Sequence, residues 1–262
     1  MRKTAEKPLP APPAVSEFIR ELPLEERRTN SEIAYQELRR KILVGEFPPG
    51  EKLKVEVLQR DFQLSSTPLR EALNRLTAEG LVVFEDNKGF RTAPISESDL
   101  RDITQLRLLI EWAALEDSMA HGDSEWEGRI VSASHRLDRI DAQVIAETLP
   151  RNGEWTQLHK GFHMALLSAC TYPRMVSMCD SLFDQSERYR RLSTRIRVVR
   201  RDTMGEHRQM MTAVLERNVS KARELLTNHI QKTSMNVGSI LGANKESPGV
   251  KHESPVANAL RV

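Results

Sequence analysis

Residues 64–92 read LSSTPLREALNRLTAEGLVVFEDNKGFRT, and the punctuation of this stretch decides the fold. The hydroxyls of Ser65, Ser66 and Thr67 suit a helix start. Pro68 is tolerated in the first turn, where a backbone N–H has no intrahelical partner. Leu69, Ala72, Leu73 and Leu76 then recur at helical spacing, so one face of this helix belongs to a core. The helix reaches Glu79, and Gly80 ends it. Leu81 to Phe84 reads as a strand, Glu85 to Gly89 as a hairpin turn, and Phe90 to Thr92 as the returning strand.

Upstream, the spacing predicts a helix over 31–44 with Ala34, Leu38 and Ile42 on one stripe. Gly45 stops it, and Pro48, Pro49 and Gly50 form a tight turn. A short helix over 55–61 follows, burying Leu58 and Phe62. Three short helices closed by a hairpin make a winged helix-turn-helix. Its third helix leaves Ser66, Thr67, Arg70 and Asn74 outward near the N-terminal half, the part of a recognition helix that enters the major groove. Arg pairs with guanine O6/N7 and Asn with adenine, while Ser and Thr reach bases or phosphates. Lys88, at the hairpin tip, is placed for a phosphate or the minor groove. Arg39, Lys54, Ser65 and Gly89 complete the candidate DNA-contacting set. Two other readings stand beside this one: a plain solvated helix face, and a helix-turn-helix used to bind protein.

Bulk charge does not announce a nucleic-acid binder. The 262 residues carry a formal net charge of +2, and residues 31–91 hold ten Lys/Arg against ten Asp/Glu. DNA affinity must come from where the charges sit. Cys170 and Cys179 are the only cysteines and form no CxxC pair, which argues against a zinc thiolate site and fits a reducing compartment. No apolar run approaches about 18 residues, and the N-terminus has no signal-peptide pattern. The expectation is a cytoplasmic protein with no membrane span.

Near residues 93–97 the style of the sequence changes. Pro94 closes the first style, and Ser96 opens the second as an N-cap with Asp99 three residues on. Beyond it helical period dominates, with helices at roughly 98–120, 124–147, 153–170, 173–192, 202–217 and 219–237. The fold class is therefore mainly α: an N-terminal winged helix-turn-helix, then an antiparallel all-α bundle of six or seven helices. The division expected is a disordered extension over 1–28, a DNA-binding domain over 29–95, an effector, metal-binding and dimerisation domain over 96–238, and a disordered tail over 239–262. An arginine run from Arg188 to Arg201 around the helix end near Ser193 reads as solvated surface, the alternative being that part of it faces DNA or the pocket.

Four of the seven histidines are related by geometry. His159 and His163 are four residues apart and share a helix face, as a chelating pair does. His207 and His229 each lie eleven residues from Asn218, where the last two helices turn. In an antiparallel hairpin rising about 1.5 Å per residue they fall at one height. Two imidazole pairs are thus placed to meet inside the bundle and share a metal; the alternative is a set of hydrogen-bonded core histidines.

The run Gly45-x-x-Pro48-Pro49-Gly50-x-x-Leu53, the stretch Leu64 to Leu73, and Leu76-x-x-Glu79-Gly80-Leu81-Val82 together resemble the GntR family of bacterial regulators over about 60 residues. The family usually carries an Arg just before the Thr-Pro and uses it on DNA. This chain has Ser66 there, while Arg70 matches a second family arginine. The later part resembles the FadR-type effector domain, many members of which hold a divalent metal through one Asp and three His. The resemblance places His163, His207 and His229 on the histidines, and His159 on the position of the Asp. His159 either completes the set or swings away to leave three ligands. Four neutral imidazoles leave the ion's full charge in place, which favours Zn²⁺ or Ni²⁺ and an anionic ligand. Leu106-Arg107-x-x-x-Glu111 also resembles the family, where such an Arg faces the effector. Arg107 then either grips a carboxylate or forms a plain i, i+4 ion pair with Glu111.

These implications describe a non-enzymatic transcription regulator, a repressor by analogy. It is a homodimer on a near-palindromic double-stranded operator, tuned by a small organic acid at the metal. The rivals are a metal-dependent enzyme using the histidines, which lacks an HExxH arrangement, and a metal-free DNA-binding adaptor.

Overall fold

The structure, a computed structural model, describes residues 29–146, 153–196 and 202–243. Helix α1 (Asn30–Val44) starts at Thr29, whose hydroxyl accepts from Glu32 N–H, and ends at Gly45 in the left-handed region at φ 77°. Strand β1 (Lys52–Leu53), α2 (Val55–Phe62) and α3 (Ser66–Ala78) follow, then the hairpin β2 (Val82–Glu85) and β3 (Gly89–Thr92). Ser65 takes the extended N-cap backbone of α3, but its side chain makes no cap hydrogen bond. The hydroxyl expected to close the helix instead faces outward. Strands β2 and β3 pair antiparallel from Val82 opposite Thr92 to Glu85 opposite Gly89. β1 adds to the far side of β3, giving the order β1-β3-β2. A two-residue strand has too little alternation to be seen in a sequence; it exists because β3 offers it a free edge.

Ala34, Leu38, Ile42, Leu58, Leu69, Ala72, Leu73, Leu76, Leu81 and Phe90 form one buried cluster. It holds every apolar stripe residue expected of the three short helices except Phe62, which is only partly buried.

Six helices, among the described residues, build the second part: α4 (Glu97–His121), α5 (Ser124–Ile145), α6 (Gly153–Leu166), α7 (Pro173–Ile196), α8 (Thr203–Leu215) and α9 (Val219–Ala243). Ser96 caps α4, its hydroxyl accepting from Asp99 N–H at 3.1 Å. The carboxylate of Asp99 does not return the bond. It accepts from the Tyr189 hydroxyl at 2.6 Å, and that hydroxyl accepts from Ser96 N–H at 3.1 Å. A buried tyrosine from α7 thus fixes the start of α4. α4 packs on α7 and α9, α5 on α6 and α8, and α8 on α9. The shared core includes Leu115, Trp126, Ile130, Leu137, Phe162, Met210, Val214 and Leu226. α9 continues to Ala243, past the expected helix end at 237 and the expected domain end at 238, with Val237 fully buried in a small cluster with Leu100, Ile103 and Tyr189. The expected N-terminal extension over 1–28 and the rest of the tail, 244–262, lie outside the described residues. No helix among the described residues is long and apolar enough to cross a membrane.

The two parts meet along α7. Arg39 on α1 pairs with Asp184, and Arg191 donates to the Leu43 carbonyl at 3.1 Å. Arg188 donates to the carbonyls of Ala93 and Pro94. Gln185 donates to the Glu79 carbonyl at 3.0 Å, and Ser181 also reaches it. Gly80 has φ +72°, a conformation that favours glycine at the end of α3, and a Cβ there would press on the flexible end of the Gln185 side chain at 3.0 Å.

Candidate nucleic-acid interface and histidine centre

The outward face of α3 stands free. Thr67, Arg70 and Asn74 are exposed, Ser65 is exposed just before the helix, and Ser66 is half-buried. Arg70 and Asn74 make no side-chain hydrogen bond or ion pair among the described residues. The other edge of α3 is engaged within the fold: Arg75 bonds Glu32 at 2.7 Å and lies 3.5 Å over the Tyr35 ring. Lys54 is exposed at the start of α2. Lys88 is exposed at the hairpin tip and pairs with Glu85 at 2.8 Å, next to Gly89 at φ +81°. A solvent-exposed pair of that kind is worth at most about 1 kcal/mol, so it holds Lys88 only weakly. Arg39 departs from the expected set. Its position on α1 turns it toward α7, where the Asp184 carboxylate captures it, away from the α3 face.

Inside the bundle the four histidines converge. His159 and His163 come from α6, His207 from α8 and His229 from α9, and none is more than 6% exposed. His207 and His229 have ring centroids 4.9 Å apart, His159 and His163 4.8 Å, and His159 and His207 5.0 Å. One ring nitrogen from each lies within 4.8 Å of the others. In a tetrahedral zinc site with bonds of about 2.0–2.1 Å the ligand nitrogens stand about 3.4 Å apart, so the set would close inward around an ion.

Further observations fit a cation there. Nδ1 of His159 is fully buried with no hydrogen-bond partner, a state that costs about 1–3 kcal/mol unless something satisfies it. Burial, then the neighbouring His163, His207, Arg190 and His229, push the His159 pKa well below the ordinary imidazole range. It therefore stays neutral with its lone pair available. Nδ1 of His229 sits 3.0 Å from a Glu206 carboxylate oxygen, whose other oxygen accepts from Lys232 at 3.0 Å. That carboxylate orients the ring through Nδ1, the arrangement seen for outer partners of metal-bound histidines, in which Nε2 would be the nitrogen to meet an ion.

The wall of the site was mostly not foreseen from the sequence. Trp155 stacks on His159 at 4.5 Å and 24° and donates to Asp141 at 2.7 Å. Phe183 lies 5.3 Å from both His159 and His163. Signals existed: Trp155 precedes His159 by one helical turn, and Glu206 adjoins His207 at the height where His229 crosses. Arg107 takes the i, i+4 ion pair that was one of its two alternatives. It is buried, yet bonded to Glu111 at 2.5 and 3.2 Å and to Ser186 at 2.7 Å. Of the arginine run, Arg188, Arg190 and Arg191 are buried or half-buried within contacts of α7 and do not form a solvated face. The side chain of Arg195, and Arg197, Arg200 and Arg201, lie outside what is described.

Helix α7 touches both places. Phe183 packs on the histidines, and the next residue, Asp184, binds Arg39 of α1 and also Lys160 at 2.9 Å. Lys160 adjoins His159 on α6. Burial raises the Asp184 carboxyl pKa, while Lys160 and Arg39 pull it back.

The profile of bacterial regulatory proteins of the gntR family matches residues 30–91, and that of the FCD domain matches residues 102–232. The HTH-type transcriptional regulator BphR of Paraburkholderia xenovorans (strain LB400) is 34% identical over 212 residues, 81% of this chain and 86% of the relative. The HTH-type transcriptional repressor GlaR of Escherichia coli (strain K12) is 34% identical over 200 residues, 75% of this chain and 90% of the relative. Among solved structures, E. coli McbR/YncC superposes with a TM-score of 0.68 at 16% identity, over 81% of this chain and 98% of that one. At that identity the likeness speaks for the fold alone.

Proposed function

The chain belongs to the gntR family of bacterial regulatory proteins, in the branch with an FCD domain, and is a DNA-binding transcription regulator, not an enzyme; from there we propose that it is a cytoplasmic, homodimeric repressor whose operator grip is set by a small organic acid bound at a four-histidine metal centre. Its DNA-binding domain spans 29–95 and its effector and dimerisation domain runs from 96 through the end of α9 at Ala243.

The single observation that carries the proposal is that one helix, α7, packs on the histidines through Phe183 and holds the DNA-reading part through Asp184. For the reader, Arg70 and Asn74 contact base edges. Ser65, Ser66, Thr67, Lys54, Lys88 and Gly89 contact the backbone and flanking positions, where they fix register. For the sensor, His159, His163, His207 and His229 hold the ion, with His159 standing where relatives use a carboxylate. Zn²⁺ or Ni²⁺ suits four imidazoles. When bound, the ion supplies a Lewis-acidic positive centre that an anionic ligand completes. Exposed Leu106 and Leu109 on α4, with Met178 on the adjoining α7, offer apolar surface to a second copy. The dimer then presents two α3 helices to half-sites about one turn apart. Repression follows GlaR by analogy.

The ligand acts only through its different affinity for two poses of the DNA-binding parts. The residues that transmit the difference are the pairs Lys160–Asp184 and Asp184–Arg39, because a shift of α6 at His159 moves Lys160 with it. Fluorescence anisotropy with duplexes from the protein's own upstream region and a shuffled duplex tests the proposal. Expected is tighter binding to an upstream duplex, weakening with salt as phosphate contacts release counterions. Equal binding to both duplexes at every salt concentration would contradict it.

A further inference from the structure

Two arginines lie near the histidine centre, Arg107 buried and Arg190 half-buried, and their hydrogen bonding tells them apart. Each is paired with a glutamate about one turn away on its own helix. Arg107 gives Nε and Nη2 to Glu111 and Nη1 to the Ser186 hydroxyl, so all three nitrogens are engaged. Arg190 gives Nε to Glu187 at 2.5 Å and Nη2 to the same carboxylate. Its Nη1 is buried and has no acceptor among the described residues. Glu187 is not free to turn toward it, because it also accepts from the Thr156 hydroxyl at 3.1 Å. A buried guanidinium N–H with no acceptor is costly and calls for a partner.

The positions differ in the same sense. The Arg190 guanidinium lies 4.2 Å over the Trp155 ring, which stacks on His159 at 4.5 Å. Its charge is among those felt by His159. Arg107 lies 5.4 Å from the Phe183 ring, which stands 5.3 Å from His159 and His163.

We infer that Arg190, and not Arg107, holds the carboxylate of the organic-acid ligand, its open Nη1 donating to a carboxylate oxygen beside the histidine centre. The inference rests on the reading of that centre as the ligand site. A carboxylate is the acceptor of choice: a charge-assisted bond to guanidinium is about twice as strong as a neutral one, and the Glu187 pairing keeps the planar fork fixed in place. Arg107 then serves to tie α4 to α7 through Ser186.

Calorimetric titration of the full-length, zinc-loaded protein with acetate, malonate and succinate, each alone, tests this. Wild type is expected to bind at least one of them. The double variant Arg190→Gln with Glu187→Gln strands no buried charge. It should keep its zinc stoichiometry and bind that acid roughly ten- to a hundredfold more weakly. Arg190→Lys keeps the charge without the fork and should also bind weakly, and it decides the matter if the double variant does not fold. Arg107→Gln with Glu111→Gln should leave acid affinity unchanged. Wild-type acid affinity in folded, zinc-loaded Arg190 variants, or no binding of any of the three acids to zinc-loaded wild type, overturns the inference. Failure of the metal reading looks different: wild type takes up no zinc, and acid binding that persists and still depends on Arg190 upholds the arginine without the ion.

Discussion

Helices α3 and α6 each place two polar residues four apart on one face, and the fold treats them in opposite ways. Arg70 and Asn74 stand exposed without a side-chain partner among the described residues, whereas His159 and His163 are buried against His207, His229, Trp155 and Phe183. An exposed polar face costs nothing to leave open, because water satisfies it until something better arrives. A buried polar cluster must be satisfied from within, so its composition reports what it holds. The first face is built for a partner that comes and goes, the second for one that stays or that stabilises a state.

The sharpest break in this contrast is His163→Ala. It removes one ligand from the buried set and should reduce zinc content, measured by atomic emission on untagged protein, from about one per chain to near zero. Retained zinc at the wild-type ratio would show that the cluster is not the holder. Arg70→Ala comes next. It should lose about 1–3 kcal/mol of operator affinity and relax discrimination at one base position, with thermal unfolding unchanged because the side chain is exposed. A large fall in melting temperature would mean that the face supports the fold. Glu206→Gln, which weakens the anchor on His229, should lower zinc affinity roughly 10–100-fold while leaving operator binding by the zinc-saturated protein intact.

Acid should separate the two regions more gently. The His159 pKa is depressed in the folded state, so below the ordinary imidazole value of about 6.5 the unfolded chain binds more protons than the folded one. The stability contribution of the neutral ring is fully present above that value. It is lost progressively as pH falls from there toward the depressed folded pKa. Denaturant titrations of zinc-free protein across that window should show this slope, and His159→Gln should flatten it.

Local chemistry made the helix starts and stops legible: Gly45, Gly80 and Ser96 act through their own backbone neighbourhoods. The histidine convergence was legible for a related reason, since helical rise and a turn at Asn218 set the heights of His207 and His229. What stayed hidden depends on the approach of elements distant in the chain. Arg39 reads as one more basic residue until α7 brings Asp184 against it. β1 needs the edge of β3, and the Ser65 hydroxyl fails to cap although its type and place are right. Arg190 sat within an arginine run whose solvated look came from composition, while its burial comes from Trp155 and Glu187.

The direct test of the central claim is operator affinity measured with and without a bound organic acid, in zinc-loaded wild type and in His163→Ala. The account predicts that the acid changes wild-type affinity and leaves that of His163→Ala unmoved. An equal response in both proteins would contradict it.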